Sequence, residues 1–474
     1  MKYNLLIYLL RFIKKIGLSI ANLMVCMLTV KFLLIGCSSN SSENPANMQQ
    51  PNIIFILADD FGRELLSVYG GTSYDTPVLD RMSEQGLTFT DSYATPMCAP
   101  TRMMFLTGQY NFRNYDDWNE MNYDLKTVAH YMQDAGYVTG MAGKWHRGGW
   151  DLEPKGPRKA GFMNYSSFNY PEYNLNPFWG ITIWQDGEPV ELGKYDSSSD
   201  YFNNYLIEFI ENNKDHPFFF YYPLNLVHRP FLPVPTNPDI HEAYLREKLT
   251  RNRGELEYFQ ENVAYLDKLI GRVLTTLEEQ GLIDNTIVIF SGDNGTDNVQ
   301  EARELRSDFK GQSVMGGKYF PTELGVNVPL IVYAPGFVSE ARIVRTPVDF
   351  TDLLPTFYEL SGFQPTENLD TDGLSFAPLL YGEDFSGREW IYSYGNFEHN
   401  SSKYKDPVNN PDAFYHVISN GEWKYYSDGR LFNVGKDKIE ENQIPPGYSE
   451  ESEAARNKLM YELERLRGSE PKLW

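Results

Sequence analysis

The sequence predicts an α/β protein built on a mostly parallel sheet flanked by helices, with a smaller C-terminal subdomain carrying an antiparallel sheet. Three patterns predict it: short continuous apolar runs bounded by turn residues, helical periodicities between them, and closely spaced short strands near the C-terminus. The runs Ile53–Ala58, Tyr137–Ala142, Phe218–Tyr222, Thr286–Phe290 and Leu330–Ala334 have the length of strands buried on both faces of a parallel sheet. Val263, Leu266, Leu269, Ile270, Val273, Leu274 and Leu277 follow the i, i+3, i+4, i+7 spacing of an amphipathic helix, with Gly281 as its C-cap. That helix leads directly into the run at Thr286, and such alternation marks a parallel α/β domain. After Asp372-Gly373-Leu374-Ser375-Phe376 the pattern changes. Trp390–Tyr394, Phe414–Ile418, Trp423–Tyr426 and Arg430–Phe432 read as strands separated by turns such as Ser419-Asn420-Gly421 and Ser427-Asp428-Gly429. Glu450–Leu466 reads as a polar amphipathic helix. The expected division is a principal domain over residues 51–385 and the antiparallel subdomain over 386–474.

Composition sets the class. A chain of 474 residues exceeds what one hydrophobic core carries, and a 42% hydrophobic content excludes a disordered chain. With 42 Lys+Arg against 64 Asp+Glu, the formal charge of -22 argues against nucleic acid or anionic lipid as a partner. Three cysteines cannot form a disulfide framework in a chain of this length.

Residues 1–36 hold five basic residues (Lys2, Arg11, Lys14, Lys15, Lys31) and no acid, around an apolar run from Ile16 to Val30. This describes a signal peptide. Gly36-Cys37 after Leu34-Ile35 resembles a bacterial lipobox, in which the cysteine is lipidated after cleavage. A single membrane anchor is the alternative, but Lys31 interrupts the run and leaves it short for a span. The polar stretch to Gln50 then reads as a tether over residues 37–50. The expectation is an exported lipoprotein of a Gram-negative bacterium, held at the outer membrane by lipid alone and facing the periplasm or the cell surface. Without residues 1–36 the chain carries 37 basic and 64 acidic residues, a charge of -27.

Sites in open α/β sheets form beyond the carboxyl ends of strands. Asp59-Asp60 follow the first apolar run, Gly143-Lys144-Trp145-His146 the second, Asn225-Leu226-Val227-His228 the third, and Ser291-Gly292-Asp293-Asn294 the fourth. Acidic turn pairs are common without function. Two acidic strand ends are better evidence: Asp59, Asp60, Asp293 and the Asn294 amide form an all-oxygen set suited to a hard divalent cation such as calcium rather than zinc. In Pro96-Met97-Cys98-Ala99-Pro100-Thr101-Arg102, Pro100 marks a helix start and Gly108 an end. Cys98 then lies at the positive end of a helix, with Arg102 one turn on. On these grounds it is either a nucleophile with a lowered pKa or a small core residue.

Cys98-Ala99-Pro100-Thr101-Arg102 resembles the C-x-P-x-R motif of the type I sulfatases of the alkaline phosphatase superfamily. Gly136-Tyr137-Val138-Thr139-Gly140-Met141-Ala142-Gly143-Lys144-Trp145-His146 is similar to the second motif of that family. The likeness continues in Ser291-Gly292-Asp293-Asn294-Gly295, Gly316-Gly317-Lys318, Val328-Pro329-Leu330-Ile331-Val332 and Asp372-Gly373-Leu374-Ser375, over nearly all of residues 51–435. It implies an alkaline-phosphatase-like fold and conversion of Cys98 to formylglycine by a maturation enzyme, which replaces the thiolate reading. It also implies one calcium ion on Asp59, Asp60, Asp293 and Asn294, completed by residue 98. Arg102 and Lys144 are then expected to hold the formylglycine hydrate, and Lys144 and Lys318 the sulfate oxygens. Asp293 is a candidate base, His228 the general acid for the departing alcohol, and His146 the acceptor of the second proton.

Position 101 is Thr where the family often has Ser, and Gly and Arg are expected where Leu324 and Asn327 stand. His130, His216, His241, His399 and His416 keep a structural reading.

The implied substrate is a sulfated oligosaccharide or polysaccharide, with algal polymers such as ulvan or carrageenan favoured. Aromatics in Tyr165–Tyr173 and Trp179–Trp184 are either a sugar subsite or core, and Arg147, Arg158 and Arg229 are candidate contacts to a uronate or second sulfate. The alternatives are a phosphodiesterase or phosphonate monoester hydrolase on the same fold, or a non-catalytic lipoprotein that binds sulfated glycans.

Overall fold

The protein is described as a computed structural model over residues 50–114, 122–145, 155–168, 177–237, 254–363, 369–395 and 415–469. The leader, Cys37 and nearly all of the tether lie outside the described residues, as do His146, Arg147, His241 and His399. Gln50, where the tether is expected to end, is already anchored, donating to the carbonyls of Ala135 and Ser361 at 3.1 and 2.9 Å. Among the described residues no helix is long and apolar enough to cross a membrane.

Ile53, Phe55 and Leu57 point to one side of the first strand, Ile54, Ile56 and Ala58 to the other, and all six are fully buried. A strand apolar on both faces needs cover on both, and helices supply it. Cys98–Thr107, Val128–Asp134 and Leu353–Leu360 close one face, while Pro77–Glu84, Ser198–Asn212 and Phe259–Glu279 close the other. The sheet has ten strands among the described residues, in the order Arg342–Val344, Leu87–Phe89, Leu330–Tyr333, Thr286–Gly292, Asn52–Ala58, Phe218–Pro223, Val138–Lys144, Asn164–Phe168, Thr182–Gln185 and Glu188–Glu191. The five strands from Thr286–Gly292 to Asn164–Phe168 are parallel, and antiparallel pairs occur on either side of them.

Leu330–Tyr333, expected with the parallel set, pairs antiparallel with both neighbours. An apolar run records burial on two faces and carries no direction, so its sense was not in the pattern. Several elements run past their apolar pattern, among them the strands Val138–Lys144 and Thr286–Gly292 and the helix Phe259–Glu279. Lys144 is therefore the last residue of a strand rather than part of a loop.

The C-terminal part forms a separate four-stranded antiparallel sheet, Ile391–Gly395, Tyr415–Ser419, Lys424–Tyr426 and Leu431–Phe432. The helix Glu450–Ser469 buries Leu459, Leu463 and Leu466 in a cluster with Tyr392, Ile418 and Tyr425. His416 is buried here and bonds the Tyr392 hydroxyl at 2.6 Å, while His130 closes a capping box on Thr127. Both are structural, as the sequence suggests. Tyr165, Phe168 and Trp179 are core residues, so the sugar-subsite alternative for those segments fails at these positions. Tyr170 and Tyr173 lie outside the described residues.

Candidate active site

Four adjacent parallel strands, Thr286–Gly292, Asn52–Ala58, Phe218–Pro223 and Val138–Lys144, deliver their carboxyl ends to one edge. The chain there is tied across the strands: Asp59 N donates to Leu226 O at 2.9 Å, Val227 N to Asp59 O at 2.7 Å, and Asp293 N to Ala58 O at 3.0 Å. Asp59, Asp60, Asp293 and Asn294 are all at most 1% exposed. One ligand atom from each of Asp59, Cys98 and Asp293 lies within 4.8 Å of the others, as does one from each of Asp59, Asp60 and His228.

Buried carboxylates need counter-charge. Lys144 Nζ lies 2.6 Å from Asp59 Oδ2, and Lys318 Nζ 2.6 Å from Asp60 Oδ2. Arg102 donates to Asp293 Oδ2 through Nη2 at 2.7 Å and Nε at 3.1 Å, with Asp59 Oδ1 3.5 Å from Nη2. Burial raises the Asp59 pKa, but Lys144, His228, Arg102 and Lys318 together outweigh it and hold the carboxyl well below its usual range. Burial pushes Asp293 up, and the neighbouring Asp59 charge pushes it further. For His228, burial dominates and brings it down to about 4, against the pull of Asp60. Its Nδ1 lies 2.6 Å from Arg229 O, so Nδ1 carries the proton and Nε2 faces Asp60 Oδ2 at 3.7 Å.

Cys98 opens the helix Cys98–Thr107, two residues earlier than Pro100 suggests. The turn before it is fixed by Thr101, whose hydroxyl accepts from Thr95 N at 3.0 Å and donates to Met97 O at 3.1 Å. A serine hydroxyl supplies the same two bonds, which accounts for either residue at this position. Lys144 Nζ lies 3.8 Å from Cys98 Sγ. Burial nonetheless pushes the thiol up, with Asp293 and Asp59 adding to it. The lowered thiol pKa expected from the helix end alone is not what this environment gives, because burial outweighs the nearby positive charge of Lys144 and the two carboxylates add to it.

A divalent cation fits the donor set. Asp59 Oδ1 and Asn294 Oδ1 are buried oxygens that accept no hydrogen bond, and oxygen donors of this kind are what a hard cation takes.

The family model for sulfatases matches residues 51–363. The chain belongs to the sulfatase family. It is a sulfuric ester hydrolase by that membership. The N-acetylgalactosamine-6-O-sulfatase of Bacteroides thetaiotaomicron is 29% identical over 472 residues, covering 83% of this chain and 86% of that protein. Human N-acetylgalactosamine-6-sulfatase is 29% identical over 382 residues, covering 73% and 69%. The solved structure of Ps i-CgsB in complex with k-i-k-neocarrahexaose shares the fold with a TM-score of 0.69 at 23% identity, covering 89% of this chain and 94% of that one.

Of the residues singled out in this sulfatase sequence, Asp59, Asp60, Cys98, Arg102, Lys144, His228, Asp293, Asn294 and Lys318 all meet at one place; His146 and Arg147 are outside the described residues. Arg158 lies elsewhere, 3.8 Å from Asp186. Asn327, where the family pattern has Arg, is buried and donates to Glu323 Oε2 at 2.9 Å. Sequence reasoning missed Asp297 and Asn298. Asn298 Nδ2 donates to the carbonyls of Gly316 and Lys318, both at 2.9 Å, and so fixes the loop that carries Lys318. The only local signal is their place just past Asp293-Asn294.

Proposed function

We propose that this sulfatase removes sulfate from a sulfated carbohydrate, an oligosaccharide of an algal polysaccharide such as ulvan or carrageenan, after a maturation enzyme has converted Cys98 to formylglycine. One observation carries the reading: Cys98 stands at the floor of a strand-end basin where three buried carboxylates face Arg102, Lys144 and Lys318. The names of the relatives, which include sulfatases of an amino sugar and a carrageenan-oligosaccharide complex, support a carbohydrate substrate.

Asp59, Asp60, Asp293 and Asn294 would hold the cation. When in place, calcium supplies neutralisation of the sulfate oxygens, and the formylglycine hydrate supplies the nucleophile. Arg102 clamps Asp293 through two hydrogen bonds and keeps its carboxylate turned to the floor, where it is the proposed base. Lys144 and Lys318 each hold one carboxylate and present positive charge to an anionic ester. His228 is pinned at Nδ1, so any proton it delivers to a leaving alcohol comes from Nε2. Burial keeps this nitrogen neutral even beside Asp60, so charging it takes a further anion, which a bound sulfate ester supplies. His146 is proposed as the second proton acceptor.

The leader and Leu34-Ile35-Gly36-Cys37 support export as a lipoprotein of a Gram-negative bacterium, anchored at the outer membrane through Cys37. A polymer-derived substrate suits that placement.

Protein co-produced with a maturation enzyme should release sulfate from carrageenan or ulvan oligosaccharides, and its residue-98 peptide should show an aldehyde mass in place of the thiol. Active protein with an unmodified thiol overturns the formylglycine reading. Faster hydrolysis of the phosphate ester than of the sulfate ester of one alcohol overturns the substrate reading.

A further inference from the structure

Beside His228 the chain places Arg229, whose Nε bonds Asp297 Oδ2. Asp297 is 1% exposed and is itself immobilised, its Oδ1 accepting from the backbone nitrogens of Asn298 at 2.7 Å and Val299 at 3.2 Å. The same Oδ2 lies 4.0 Å from Lys318 Nζ, the cation bonded to Asp60. A buried carboxylate held by two backbone donors thus fixes Arg229 next to the sulfate-facing lysine. The guanidinium is not sealed in: its side chain keeps 13% exposure. Because Nε is the atom on Asp297, the terminal Nη pair leaves a two-pronged edge of the kind that takes a carboxylate or sulfate oxygen pair.

Tyr319 completes the corner. Its nitrogen donates to Pro96 O at 2.7 Å, two residues before Cys98, and its ring centroid lies 5.2 Å from Lys318 Nζ. Its φ of 80° is a left-handed backbone that bulky side chains avoid, and such outliers persist where surrounding contacts hold them. The half-buried ring is an apolar wall of the kind on which sugars stack, and the charge of Arg229 acts on it.

We propose that Arg229, held by Asp297 and flanked by Tyr319, is a specificity-determining subsite for a second anionic substituent, a carboxylate or a further sulfate, on the sugar chain that carries the scissile sulfate. Asp297 is a positioning residue in this subsite. The inference rests on the sulfatase reading above and narrows its substrate class to glycans with at least two negative groups.

Two matched pairs test it. One is N-acetylgalactosamine 6-sulfate with and without a linked unsaturated uronic acid; the other is neocarrabiose carrying one sulfate or two. The kcat/KM for sulfate release should be greater for the doubly anionic member in at least one pair, and the responsive pair identifies carboxylate or sulfate as the group read. Arg229→Gln should cut that preference about tenfold or more, chiefly through KM, and Arg229→Lys should restore part of it. Asp297→Asn should reduce the preference in the same direction. Sulfate release by the wild type without a preference in either pair overturns the subsite, as does an equal loss on both members of the responsive pair in folded Arg229→Gln protein. No release from any of the four substrates overturns the underlying substrate reading with it.

Discussion

Asp59, Asp60 and Asp293 bring three negative charges to the floor of the site, and Arg102, Lys144 and Lys318 bring three positive ones. With His228 neutral and all three carboxylates ionised, as a bound cation would favour, these groups cancel, so a divalent cation would leave the floor doubly positive toward an anionic ester. The chain is acidic elsewhere, and its net charge describes the exterior rather than this basin. Calcium added to chelator-treated protein should therefore raise Tm, by an amount equivalent to about 2.7 kcal/mol at a hundred times Kd. Asp59→Asn should shrink that increment, read by thermal melts at graded calcium. A wild-type Tm indifferent to calcium would contradict the ligand assignment. At this scale the sequence was informative where chemistry follows a strand: Asp59-Asp60, Lys144, His228 and Asp293-Asn294 all sit at strand ends that apolar runs announce. It was silent on pairing. Nothing local couples Arg229 to Asp297, 68 positions away, or shows that burial near two carboxylates would raise the Cys98 thiol.

Among the elements, the helix Pro77–Glu84 shows how a distant side chain can start a helix. Thr76 makes no side-chain cap bond; Asp267 of the long helix Phe259–Glu279 instead accepts from Val78 N at 3.0 Å and Leu79 N at 2.9 Å. Burial pushes the Asp267 carboxyl up to about 6, against those two donors. In the unfolded chain it titrates near the usual value of about 3.9. The folded state thus binds the extra proton between about pH 4 and 6, and stability from this group is present below that window and lost as pH rises through it. The stability of the wild type relative to Asp267→Asn should fall between pH 4 and 7, measured by urea denaturation at fixed ionic strength. A gap that widens with pH contradicts this account. The long helix itself was legible from its heptad-like apolar spacing. The direction of Leu330–Tyr333 was not, since side-chain period alone does not distinguish parallel from antiparallel pairing.

Across the whole molecule, the small sheet is joined to the large one by buried charge. Lys424 Nζ lies 3.2 Å from Glu323 Oε1 and 2.9 Å from Glu440 Oε1, and Glu440 Oε1 also caps Glu323 N at 2.7 Å. Lys438 reaches Asp91 at 3.0 Å, and Arg388 grips Asp352. Lys424→Met should leave two buried carboxylates without their cation and cost about 3–5 kcal/mol, seen as a lower urea midpoint at pH 7. Adding Glu440→Gln should recover part of that loss, and an unchanged midpoint in the single variant would contradict the role. Glu323 begins a short helix whose backbone underlies the active-site loops. A Cβ at Gly295 would stand 1.9 Å from Leu324 O, and one at Gly317 would stand 2.2 Å from the Leu324 carbonyl carbon. Main chain lies on main chain there, with no side chain in between to exchange. Substitution has nowhere to act on that floor except by breaking it, whereas at the edge Arg229 keeps part of its side chain in solvent and can be exchanged together with its buried partner Asp297. Engineering of new selectivity into this scaffold is therefore a matter of libraries at the rim, with the glycine-packed base left as the fixed part of the tool.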